Sequence, residues 1–187
     1  MARGLTEELV LRHYRLQGYF VESDHQFKLR KGSDRKVGGW SDIDILAYND
    51  KELVVCQCKS QLVNGSARAI TADLKKWFSA AIKYLHGEKC PYSNIAEARP
   101  IRKEVVTFLF YAGGPDRRLR IENGLARDDI ALVDADEVIR DIFRLSRTKL
   151  AELSKETPNA YGKELDPMLD LMKYLVYRRW LKEGLLD

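Results

Sequence analysis

The chain has 187 residues, with 32 Lys+Arg against 28 Asp+Glu, a net charge of +4 and 45% hydrophobic residues. That length suits one domain with a sizeable core, and that composition excludes a disordered chain. Three cysteines are too few, and odd in number, for a disulfide framework.

No apolar run approaches the roughly 18 residues of a membrane-spanning helix. The N-terminal residues carry acids and no apolar signal core, so a cytoplasmic location without a membrane partner is expected. A net charge of +4 permits a nucleic-acid partner without requiring one.

In chain order, Thr6 reads as a helix N-cap, with Glu7 and Glu8 in the first turn, where free backbone N–H groups favour acids. Leu5 and Val10 would staple that helix, which ends at Gly18. A short strand is expected over 19–21. A basic segment follows at 28–36, holding Lys28, Arg30, Lys31, Arg35 and Lys36. Residues 41–48 and 52–59 read as two strands of a hairpin joined at Asn49-Asp50-Lys51.

Apolar residues at three- and four-residue spacing predict a helix over 66–86. Residues 88–103 read as a polar loop, 105–111 as a buried strand and 116–129 as a polar, basic stretch. A short strand over 130–133 and a helix over 135–145 follow. Residues 146–156 read as one helical segment, broken at Thr157-Pro158-Asn159. Asp166-Pro167 then caps a last helix running to Gly184. The aromatic and basic residues of that last helix fit a face docked on the core or at an interface better than a nucleic-acid contact. The order of elements predicts an α/β fold: a central mixed sheet flanked by helices, with a C-terminal helical tail. A core domain is expected over 1–145 and a helical extension over 146–187, packed on the core or at an interface.

The chemistry-bearing residues sit on the hairpin. Side chains alternate along a strand, so Leu53, Val55, Gln57 and Lys59 share one face, and Val54, Cys56 and Cys58 the other. On the preceding strand Asp42, Asp44 and Leu46 share a face, opposite Ile43, Ile45 and Ala47. Pairing would bring a carboxylate, an amide oxygen and an ammonium group to one end of the sheet. Mg²⁺ or Mn²⁺ takes oxygen ligands of this kind. Asp44 would supply the charged ligand, Gln57 a neutral one and the Cys58 backbone carbonyl a third. Glu7 is the candidate for a further acid. Lys59 would stand at the attacking water. The basic residues of 28–36 could hold phosphates beside that site. Cys56 and Cys58 read as buried small residues, and the three histidines lack zinc-site spacing.

Gly38-Gly39, then Asp44-Ile-Leu-Ala, then Gln57-Cys-Lys59 thirteen positions beyond Asp44, resembles the PD-(D/E)xK nuclease superfamily. The pattern is closest to the Gln-x-Lys variant of Mrr-like endonucleases. Glu7-Glu8-Leu-Val with Gly18-Tyr19 is similar to the first helix of those enzymes and of archaeal Holliday junction resolvases. The resemblance covers about residues 5–111. It departs from the common pattern where Ile43 stands in place of a proline and Gln57 in place of an acid. It implies a restriction-endonuclease-like α-β-β-β-α-β core. It also implies a Mg²⁺-dependent DNA endonuclease with Glu7, Asp44, Gln57 and Lys59 as catalytic residues, acting as a homodimer or within a larger DNA-processing complex. Restriction-like, resolvase-like and transposon-end cleavage are all compatible with it. Two other readings stand beside it. One is a catalytically inactive nuclease-fold subunit that binds DNA or protein. The other is an RNA-directed nuclease or interaction protein.

Overall fold

The computed structural model describes residues 4–28, 39–62, 65–107 and 114–156. Its elements run α1 (Leu5–Leu16), β1 (Phe20–Lys28), β2 (Trp40–Tyr48), β3 (Leu53–Lys59), α2 (Ala67–Leu85), α3 (Ser93–Ala98), β4 (Ile101–Thr107), α4 (Pro115–Ala126), β5 (Ile130–Asp134) and α5 (Ala135–Glu156). The five strands form one sheet in chain order. β1, β2 and β3 pair antiparallel, while β3, β4 and β5 pair parallel. The architecture is therefore α/β, with a mixed sheet between two helical layers.

One layer holds α2 and α4. Ile70, Leu74, Trp77, Phe78, Ile121 and Leu125 pack there on Leu46, Leu53, Val55 and Val105. The other holds α1 and α5, whose Leu9, Val10, Tyr14, Val138 and Ile142 cover Ile45, Ala47, Val54, Cys56 and Cys58. The alternation expected for β3 is thus present, with Leu53 and Val55 on one side and Val54, Cys56 and Cys58 on the other. On β2 it breaks. Ile43 packs with the α2 layer, whereas Ile45 packs with the α1 layer. The phase therefore slips at Asp44. Opposite it on β1, Asp24 has φ +59° and leaves a gap in the pairing register.

Several boundaries differ from expectation, each for a local reason. Gly4, not Thr6, is the N-cap of α1, and Thr6 lies buried inside the helix. Leu5 is 64% exposed while Val10 is buried, so no staple forms between them. The α1 helix does stop at Gly18, whose φ of +85° suits a residue without a Cβ. β1 is nine residues long rather than three. It is an edge strand that buries little, and apart from Phe20 its exposed positions are polar.

The loop expected over 88–103 contains α3 and the start of β4, and the basic stretch 116–129 contains α4. Pro115 occupies the first turn of α4, where its missing N–H costs nothing. The helix expected over 135–145 continues to Glu156, so residue 146, the expected start of the C-terminal extension, lies inside α5. Asp166-Pro167 and the helix expected to end at Gly184 lie outside the described residues, as do residues 108–111 of the expected strand. Among the described residues, no helix is long and apolar enough to cross a membrane.

Candidate metal centre at the parting of β2 and β3

The hairpin turn is built locally: Asn49 Oδ1 accepts from Lys51 N at 2.8 Å and from Glu52 N at 3.0 Å. β2 and β3 then pair from Tyr48↔Leu53 to Ile45↔Cys56, and the register ends there. At the next position the carboxylate of Asp44 takes the place of a backbone acceptor. Its Oδ2 accepts from Cys58 N at 2.6 Å. The two strands part at this point, with a side chain bridging them.

Asp44 is only 9% exposed. Burial raises its carboxyl from an ordinary 3.8 to about 6. The Cys58 N–H and the charge of Lys59 pull it back down, while Asp42 and Glu7 push it further up. Lys59, Asp42 and Glu7 therefore all lie within electrostatic reach of Asp44. Among the described residues the Cys58 N–H is its one hydrogen bond, which leaves Oδ1 open.

Gln57 is 7% exposed, and its amide makes no hydrogen bond among the described residues. An amide without a protein partner is left to water or a ligand. Lys59, two residues on, is half-buried at the end of β3. Glu7 is half-buried in the first turn of α1, and its Oε2 accepts from Gly4 N at 3.1 Å. Its bond is thus local, and it acts on Asp44 through charge. Asp42 is exposed.

The Cys58 backbone meets Asp44 through its N–H; its carbonyl, the expected metal ligand, is placed by no contact to the other candidates. The structure therefore brings Lys59 and Glu7 within electrostatic reach of Asp44, while Gln57 stands on the adjacent strand, on the face it shares with Val55, and no hydrogen bond links it to Asp44 among the described residues.

The basic segment is described only at its first residue. Lys28 is exposed, with its ammonium 5.1 Å from the centre of the Trp40 ring. Arg30, Lys31, Arg35 and Lys36 lie outside the described residues. Lys28 pairs with Trp40, so the segment leaves the sheet at the same end as Lys59.

Thr107 carries no signal that sequence reasoning could have used. It ends β4, is fully buried and stands in register with Lys59. Among the described residues its Oγ1 has no hydrogen-bond partner. All three cysteines are free and buried. Among the histidines, His25 bonds Tyr84 Oη at 2.9 Å and His13 lies 3.5 Å from Asp141, neither in a metal-ligand cluster.

Among the described residues no three acidic, histidine or cysteine side chains form a metal cage. The donor set at Asp44 still fits a hard cation that keeps several waters, because such a cation needs only one or two carboxylates. An open carboxylate oxygen and an unpartnered amide oxygen are donors of the right chemistry. Compared with protein-family models, curated proteins and solved structures, the chain matches none.

Proposed function

We propose that the chain is a Mg²⁺- or Mn²⁺-dependent DNA endonuclease that hydrolyses phosphodiester bonds at the parting of β2 and β3. One observation carries this reading. Two buried polar side chains, Asp44 and Gln57, stand on neighbouring strands with unused bonding capacity, and an ammonium group follows two residues later.

A scaffold residue buried this deeply is normally fully paired. Asp44 is not, and its raised carboxyl is the electrostatic cost of keeping it so. The PD-(D/E)xK-like order of Asp44, Gln57 and Lys59 adds the reaction class.

In this reading Asp44 Oδ1 and the Gln57 amide oxygen hold the cation, with Glu7 adding negative charge from α1. Once bound, the metal neutralises charge on the phosphodiester and acidifies a water. The Cys58 N–H fixes the Asp44 carboxylate, so one oxygen faces the cation in a defined orientation. Lys59 places a positive charge where charge builds on the phosphate, and its N–H groups can orient the attacking water.

The test is plasmid nicking with Mg²⁺ or Mn²⁺. Wild type should nick the plasmid, and Asp44→Asn and Lys59→Ala should not. Equal nicking by all three would remove the assignment. Salt-dependent DNA binding by a wild type that never cuts would leave the inactive binding subunit instead.

A further inference from the structure

The helices α2 and α4 lie side by side on one face of the sheet. Their closest approach is at Gly124. A Cβ there would meet Thr71 Cγ2 at 2.8 Å, so the contact needs a residue without a side chain. Thr71 cannot turn away freely, because its Oγ1 donates to Ala67 O at 2.8 Å. The contact forms the floor of an open groove of about 720 Å³.

Among the described residues lining this groove, Arg68, Lys75, Arg120 and Arg127 are cations and none is an acid. That count equals the net charge of the whole chain, +4. Lys75 is paired with Asp128. Arg68, Arg120 and Arg127 are exposed and form no ion pair among the described residues.

The groove begins at the start of α2, which follows β3 in the chain. α2 begins eight residues after Lys59, and Arg117 of α4 donates to Leu62 O at 3.2 Å and Gly65 O at 2.7 Å in the intervening segment. The groove thus starts near the end of the sheet where Lys59 stands and runs along the flank.

We infer that the groove between α2 and α4 holds the phosphate backbone of duplex DNA. Unpaired arginines around a floor of small residues suit a polyanion, and arginine forks match phosphate oxygens. Among the described residues no aromatic side chain lines the groove, so these residues offer no stacking surface for unpaired bases. Contacts of this kind set the position and register of the DNA without reading its sequence. The choice of DNA as the polyanion rests on the nuclease reading; the charge of the groove does not.

The experiment uses the full chain, a fluorescein-labelled random-sequence duplex and buffer without divalent cations. Binding is followed by anisotropy across a salt series. The triple variant Arg68→Gln, Arg120→Gln, Arg127→Gln should bind at least tenfold more weakly near 0.1 M salt. Its slope of log K against log salt should fall by about 2.7, from about 0.9 for each lost phosphate contact.

A triple variant with the affinity and slope of wild type would overturn the inference. So would competition by single-stranded RNA stronger than by unlabelled duplex. A wild type that never cuts, but whose binding still depends on the three arginines, would sink the nuclease reading and keep the groove. Arg120→Glu alone should weaken binding more than Arg120→Gln, and equal effects would count against a charge mechanism. All three arginines are exposed, so melting temperatures should match wild type.

Discussion

Two carboxylates are buried in this sheet, on the strands either side of β3. Glu104 on β4 is 6% exposed and Asp44 on β2 is 9% exposed, so burial does not distinguish them. Partners do. Glu104 accepts from Tyr14 Oη and from Arg102 Nη1 at 2.6 Å. Arg102 also reaches Glu52 at 3.0 and 3.2 Å, Tyr19 Oη donates to the same Glu52 at 2.5 Å, and the Arg102 guanidinium lies over the Tyr14 ring. Asp44 has a single backbone N–H, and two of the charges nearest it are acids. A buried carboxylate with a full set of donors ties elements together. One with a vacancy is held ready for something positive.

The sharpest way to break the comparison is Asp44→Asn. Nicking should fall by about 10²–10³, the size of effect seen when one electrostatic contact to a transition state is removed. Stability should move the other way. A carboxyl raised from 3.8 to about 6 favours the fold fully below pH 3.8 and loses that advantage as pH rises through 6. Asparagine cannot ionise and can still accept from Cys58 N–H. The variant should therefore be more stable than wild type by about 3 kcal/mol above pH 7, with the gap closing below pH 4. Urea unfolding of both proteins at pH 4 and pH 8 measures it, and a gap that does not change with pH would show that Asp44 is no more strained than Glu104.

Arg102→Met tests the other carboxylate. It leaves Glu104 buried with Tyr14 as its remaining side-chain donor and should cost about 2–3 kcal/mol, less than a fully buried pair because Arg102 is itself 42% exposed. Tyr14→Phe should cost about 1–2 kcal/mol, since Arg102 still holds Glu104. Both should leave metal-dependent nicking unchanged at a temperature where the variants are folded.

The smallest effect concerns the scaffold around both sites. Gly124→Ala gains about 1 kcal/mol in helix propensity but collides with Thr71, so it should lower stability by about 1 kcal/mol overall. Thermal unfolding checks it, and a stabilised variant would mean that the two helices can separate freely.

Much of the site was legible in the sequence. β-formers, a turn at Asn49 and two-residue alternation placed Gln57 and Lys59 on one face of β3, opposite the cysteines, and put Asp44 next to them. What periodicity could not reveal was the slip at Asp44, where a side chain replaces a ladder partner and sends Ile43 and Ile45 to opposite layers. The start of β4 read as loop because Arg102 and Glu104 are polar, and only the fold shows that they satisfy each other and Tyr14. The helix α4 was hidden by its charges. It buries just Ile121 and Leu125, one turn apart, while Arg120 lines the groove and Arg117 bonds the segment before α2. Thr107 lay inside the apolar run expected over 105–111, and nothing in the sequence marks its hydroxyl as one without a partner among the described residues.

The bond from Cys58 N–H to Asp44 spans fourteen residues of chain, whereas β3 and β4 are brought into register across forty-eight, from Gln57 to Val105. Closing the longer loop costs about 1 kcal/mol more in chain entropy. Short-range contacts of this kind form early and quickly in a folding chain. The hairpin can therefore set the Asp44 carboxylate before the parallel half of the sheet arrives to bury it.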